Sequence, residues 1–281
     1  MTIDFPDRPA TAQGVTGLPP IQTAYLAPAS SASATASGGG SSAGTDGWAA
    51  IGATLTYSST DGHTFVCATS SDLTGQVPVR SRVKVTDSGV KYFIVTAIST
   101  TTITLYGGTT YALTGGAITL PFVSLVMAPV GFPLSPASWT ESFTDSSLRT
   151  QANPGNGWYN MGSLNLPVPI GAWRLGYKVQ AYGFTSQDHN YNLWYKTTLS
   201  TANNSESDSS FTVERLRSSS SDGFAVGDEI TAEAEGYVLV AAKTPYYLNM
   251  STPVGDGSAN TGISFYGSRV PTVIRAVCAY L

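Results

Sequence analysis

From residue 173 the chain reads Trp-Arg-Leu-Gly-Tyr-Lys-Val-Gln-Ala, with apolar and polar positions alternating without a break to residue 181. A period of two is that of a strand with one buried face, and it turns Trp173, Leu175, Tyr177, Val179 and Ala181 inward. Similar short runs recur over the rest of residues 136–281. They predict strands at Glu141–Thr144, Trp158–Leu166, Tyr191–Leu199, Phe211–Leu216, Glu229–Glu235, Tyr237–Ala242, Tyr246–Met250, Gly262–Tyr266 and Val270–Leu281. Eight to ten antiparallel strands in this span predict a jelly-roll-like β-sandwich. The apolar last segment is expected to be tied into the sheet as a central strand.

Residues 48–135 predict a smaller β unit, a barrel or sandwich. Its runs are Ala53–Tyr57, Thr64–Ala68, Arg82–Thr86, Lys91–Ile98, Thr102–Tyr106 and Ile118–Met127. Asp87-Ser88-Gly89 separates two of them as a hairpin turn would, with glycine where φ is positive, and Ser99-Thr100-Thr101 makes the next reversal. Pro129 and Pro133 mark a linker. The fold class is therefore all-β in two units, 48–135 and 136–281.

Residues 1–47 are different. No charged residue occurs from Pro9 to Thr45, and Ala29–Gly44 is almost pure Ala, Ser, Thr and Gly. Such a segment buries too little apolar surface to offset its ordering entropy. It predicts an extended arm that becomes ordered only against neighbouring chains of an assembly.

Composition narrows the function. Charged residues are 11% of the 281, against about 25% in an average soluble domain. Their place is taken by 35 Thr, 34 Ser and 29 Gly. A net charge of −4 without a basic cluster argues against nucleic-acid binding, which depends on displacing counterions from phosphates. No apolar window is long enough for a membrane span. The start, with two Asp, an Arg and two Pro, does not resemble a signal peptide, so synthesis in the cytoplasm is expected. Cys67 and Cys278 read as small buried apolar residues rather than a disulfide or metal pair, and no cofactor is expected.

Three groups of residues could carry chemistry. The two histidines each stand beside or near an aspartate, in Asp61-Gly62-His63 and Asp188-His189. Neither has the partners of a catalytic triad or a metal site. Glu229, Glu233 and Glu235 share one face of a predicted strand, near Asp222 and Asp228. They could serve as paired carboxylates or bind calcium, but the apolar opposite face (Ile230, Ala232, Ala234) makes a solvent-facing amphipathic strand the simpler reading. The third group is the predicted loop Gly183–Asn190 with its flanking rings Tyr182, Trp194 and Tyr195. Gln187, Asp188, His189 and Asn190 offer hydrogen bonds and the rings offer stacking, which together suit a sugar. The predicted ligand site is Asp188, His189, Asn190, Trp194 and Tyr195, with no catalytic and no metal residue.

The stretch VKYFIVTAISTTTITLYGGTTYALTGGAITLPFVSLVMAPVGFP, residues 90–133, resembles a module of tailed-bacteriophage virion proteins. VPIGAWRLGYKVQ and YNLWYKTTLST resemble the β-sandwich that often follows it. The resemblance implies a virion structural or host-recognition protein of the tail or head fibres, a homotrimer attached to other virion proteins. It transfers no individual functional residue. The resulting expectation is a tail fibre or tail-tip component whose arm docks on the particle and whose sandwich meets a host cell-surface glycan. The alternatives are a head fibre or capsid decoration protein and, less favoured, a polysaccharide depolymerase acting through the acids near Glu233.

Overall fold

The computed structural model describes residues 44–152, 154–185, 191–219, 226–252 and 260–281. Among them it is all-β, with two short 3-10 turns and no α-helix, and every strand pairing is antiparallel. No described helix is long and apolar enough to cross a membrane.

The first seven strands are β1 (Ala49–Ala50), β2 (Leu55–Asp61), β3 (Thr64–Thr69), β4 (Arg82–Thr86), β5 (Val90–Ile98), β6 (Thr102–Tyr106) and β7 (Thr119–Ser124). They form one sheet in the order β1-β7-β4-β5-β6-β3-β2. Side chains from six of them, including Leu55, Cys67, Val85, Phe93, Leu105 and Val123, meet in a single core. Loop residues Leu73, Val77, Leu113 and Ile118 complete that core, in keeping with the expected small barrel or sandwich, here called the barrel. The β4–β6 meander lies where the sequence places it, and Ser88 (φ 52°) and Gly89 (φ 145°) make its first turn.

Eleven strands follow: β8 (Thr140–Asp145), β9 (Leu148–Ala152), β10 (Trp158–Tyr159), β11 (Asn165–Val168), β12 (Gly171–Thr185), β13 (Tyr191–Ser200), β14 (Val213–Ser219), β15 (Val226–Val240), β16 (Thr244–Ser251), β17 (Asn260–Tyr266) and β18 (Thr272–Cys278). One sheet runs β10-β16-β13-β14, with β11 also on β16. The other runs β8-β18-β12-β17-β9, with β15 along the free side of β12. Their inner faces share one core, with Trp173, Leu175, Tyr177 and Val179 on one side and Tyr195, Leu199, Leu248 and Met250 on the other. This is the expected sandwich, and β18 is central in its sheet.

Several boundaries differ from expectation: β9 was not expected, the last strand is Thr272–Cys278 rather than Val270–Leu281, and four further differences bear on the architecture. Trp158–Leu166 is two strands broken at Gly162 (φ 93°) and Ser163 (φ 58°). Residues 209–211 form a 3-10 turn before β14. The two runs on either side of Gly236 are one strand, β15. Gly183, Phe184 and Thr185 belong to β12 rather than to a loop, because β15 and β17 pair with them on both sides.

The barrel and sandwich do not share a sheet, yet their apolar cores meet. Phe93 and Val95 of β5 face the barrel core, while Ile94 and Tyr106 face the other way and join the sandwich core. Tyr106 stands edge-on to Trp173, with ring centroids 4.9 Å apart. Trp139 stacks on Phe132 at 5.1 Å. Gly108 (φ 60°) permits this approach, since a Cβ there would lie 1.9 Å from the Ser138 carbonyl oxygen. Polar links cross the same junction: Glu141 accepts from the Tyr106 hydroxyl and pairs with His63, and Lys243 pairs with Asp61.

Candidate functional site

Alternation along β12 and β15 gives the sandwich an outer face as ordered as its core. The inner row of β12 is buried, while Arg174, Gly176, Lys178, Gln180 and Tyr182 face outward. On β15 the outward row is Glu229, Thr231, Glu233, Glu235, Tyr237 and Leu239. Tyr237 is 78% exposed and Leu239 75%. The third contribution is Val273 and Arg275 of β18.

Cross-strand register sets the chemistry of this face. Gly176 lies opposite Glu235 on one side and Arg275 on the other; Lys178 lies opposite Glu233 and Val273. A Cβ at Gly176 would come within 2.7 Å of the Ala234 carbonyl oxygen and 3.2 Å of the Glu235 stem. Glycine therefore lets Glu235 lean over the strand, where its carboxylate meets Arg174 Nε at 3.2 Å and Arg275 Nη2 at 3.3 Å. Between these groups is an open hollow of about 260 Å3, lined by Gly176, Lys178, Glu233, Glu235, Val273 and Arg275 among others.

Further along, Phe184 and Tyr182 stack at 5.7 Å, and Tyr266 stands edge-on to Tyr182 at 5.3 Å. Gly227 and Gly262 flank Phe184 in register and leave room for these rings: a Cβ would fall 2.0 Å from the Tyr182 hydroxyl and 2.4 Å from Phe184. Arg269 covers Tyr266 and pairs with Glu229 at 2.7 Å.

The residues singled out from sequence are distributed as follows. Gln187, Asp188, His189 and Asn190 lie outside the described residues, as does Asp222. Trp194 and Tyr195 are consecutive in β13 and so face opposite ways. Tyr195 is fully buried, its hydroxyl donating to the Asp228 carbonyl oxygen at 3.4 Å, and burial pushes that phenol above its ordinary range. It is a core residue, and its expected place in a ligand site is withdrawn. Trp194 is half-buried on the other face, beneath the Lys196 ammonium.

Among the described residues the acids divide between the two faces of β15. Asp228 is buried on the inner side with Arg215 Nε at 2.9 Å, whereas Glu229, Glu233 and Glu235 line the outer side, two of them held by arginines. His63 Nδ1 lies 2.6 Å from Glu141 Oε1, which makes it a junction residue. Among the described residues no group of three His, Cys, Asp or Glu could hold a metal ion. Both cysteines are free and buried, and burial pushes each thiol up to about 12.

The Gly176 hollow was not singled out from sequence. Its one signal was a glycine at a polar-face position of an otherwise perfect alternation, a place where strands rarely keep glycine without a close approach to accommodate.

No family model matches the chain, and no curated protein does. Three solved structures overlap it weakly. A chain from infectious bursal disease virus strain Gx is 12% identical over 50% of this chain and 38% of its own length, with a TM-score of 0.24. One from the T13 particle of that virus is 14% identical over 80% and 60%, with a TM-score of 0.23. One from T=1 particles derived from it is 13% identical over 82% and 60%, with a TM-score of 0.20. The chain thus spans between about two-fifths and three-fifths of those proteins. TM-scores this low do not amount to a shared fold.

Proposed function

We propose that the chain is a structural protein of a bacteriophage particle, a tail fibre or tail-tip component whose C-terminal sandwich meets the host surface. The observation that carries this reading is the exposed apolar strip that follows β7. Leu125, Val126, Met127, Val130 and Leu134 are each more than half exposed within ten residues. So many large apolar side chains left in water within one short segment cost solubility unless other chains cover them. It coincides with the APVGFP segment of the virion-module resemblance. The uncharged run of residues 9–45 supports the same reading, as a segment with little to bury on its own and much to gain from a protein surface.

The test is to label phage particles with an antibody to the chain, and to follow incorporation of a chain lacking residues 1–47. Label on the tail with loss of incorporation supports the proposal. Label on the head moves the assignment to a head fibre or decoration protein, and absence from particles rejects both. Depolymerase chemistry is disfavoured by the arginines that hold Glu229 and Glu235. Incubation with host polysaccharide is expected to release no reducing ends.

A further inference from the structure

We propose that the hollow over Gly176 binds a saccharide bearing a carboxylate, such as a uronic or sialic acid unit. This deepens the host-surface reading above by naming a ligand class and a place.

The hollow combines what such a sugar needs. Glu235 is already held by Arg174 and Arg275. Lys178 and Glu233 are exposed and face each other across β12 and β15, yet neither has an ion-pair or hydrogen-bond partner among the described residues. The site therefore keeps one uncommitted cation and one uncommitted carboxylate. The lining carries two cations, Lys178 and Arg275, against two anions, Glu233 and Glu235. Arg174, which reaches Glu235 from beside the hollow, adds a third cation and leaves one positive charge in excess, in a chain whose net charge is −4. That excess selects for an anionic group at Lys178, with Glu233 placed to accept from sugar hydroxyls. Val273 supplies an apolar wall for the C–H face of a ring, and Tyr237, 78% exposed beside Arg174, offers a stacking surface at the rim. A volume of about 260 Å3 is slightly below the range typical of drug-sized ligands and suits one or two sugar rings. Gly176 sits in a strand paired on both sides, so the groups around it are held on a rigid element.

Saturation-transfer NMR on the full chain tests this with hyaluronan tetrasaccharide and 3′-sialyllactose, with neutral maltotetraose and inorganic phosphate as controls. At least one acidic saccharide is expected to bind, at millimolar affinity, and maltotetraose is not. Lys178→Gln and Glu233→Ala are each expected to weaken binding roughly tenfold, the loss that follows removal of a charged hydrogen bond. Both residues are exposed and unpartnered, so an unchanged melting temperature is expected and shows that folding is intact. Binding of neither acidic saccharide, undiminished binding by either variant, or equal displacement by phosphate overturns the proposal. Particle labelling is read separately. Tail label without saccharide binding rejects the hollow and leaves the virion reading, and saccharide binding without label does the reverse.

Discussion

His63 Nδ1 lies 2.6 Å from Glu141 Oε1, tying the β2–β3 turn of the barrel to the first strand of the sandwich across 78 residues of sequence. The same Glu141 oxygen accepts the Tyr106 hydroxyl at 3.0 Å. The two partners differ in burial: the Tyr106 side chain is enclosed, whereas His63 is 44% exposed. Removing the acceptor leaves a buried hydroxyl unpaired, which costs about 1–3 kcal/mol, while a half-exposed side-chain hydrogen bond is worth about 1 kcal/mol or less. Glu141→Ala is therefore expected to destabilise the protein more than His63→Ala. Urea denaturation measures both, and the reverse order would refute the asymmetry.

The edge-on contact of Tyr106 with Trp173 lies inside a core that both units share. Two units that bury side chains against each other unfold together when the shared surface is large and apolar. Calorimetry is expected to show one transition for residues 44–281, and Tyr106→Ala to lower it as a whole. Two separate transitions in the wild type would mean that the junction contributes little.

Asp87 predicts an acid sensitivity. Burial raises its carboxyl, but hydrogen bonds from the Thr114 hydroxyl and amide (2.6 and 2.7 Å) and from Lys91 more than reverse this, so it lies below the usual carboxylate range. A group whose folded value is depressed adds stability above its unfolded pKa and loses it as pH falls through the folded one. Asp145, paired with Arg149 through two hydrogen bonds, acts in the same direction. Stability is expected to fall progressively below about pH 4. Asp87→Asn should flatten part of that slope, at a cost of about 2–4 kcal/mol near neutral pH. An unchanged slope in the variant would contradict the assignment.

Burial that lifts both thiols to about 12 leaves almost no thiolate at pH 8. Cys67 and Cys278 are expected to resist a disulfide-exchange reagent in the folded protein and to react fully once it is denatured. Rapid reaction in the folded state would show that one of these strands opens readily.

Periodicity made the sandwich readable and also marks where reading stopped. The unbroken alternation of residues 173–181 placed the inner row of β12, and the Glu229–Ala234 alternation assigned both faces of β15 correctly. Gly183–Thr185 misled because glycine and threonine beside polar residues read as a loop. Only pairing with β15 and β17 shows that they continue the strand, with Phe184 between Gly227 and Gly262. Trp194 and Tyr195 do not serve one ligand together, since neighbours in a strand face opposite ways. The Gly176 hollow and the His63–Glu141 link were not legible. They depend on register between strands from about 40 to about 100 residues apart, which no local pattern encodes.

The exposed strip after β7 bears on assembly. Leu125 is 71% exposed and Val130 68%, and three more large apolar side chains stand between or beside them. Apolar surface loses about 25 cal/mol per Å2 when removed from water, so several side chains of this size can supply the favourable part of an association. Three aspects point to identical copies as the cover. The chain is poor in charge, so copies repel one another little; closed symmetry is the usual outcome for such contacts; and the virion-module resemblance implies three copies. Light scattering on the full chain at micromolar concentration is expected to give three times the 29.3 kDa chain mass. Leu125→Asp combined with Met127→Asp should shift it to the monomer without lowering the strand signal in circular dichroism, because neither side chain belongs to the core. A wild-type chain that stays at 29.3 kDa rejects self-association through this strip. A trimer that the double variant leaves intact shows instead that the copies meet elsewhere, and the edge of β15, paired on one side only among the described residues, becomes the next surface to change.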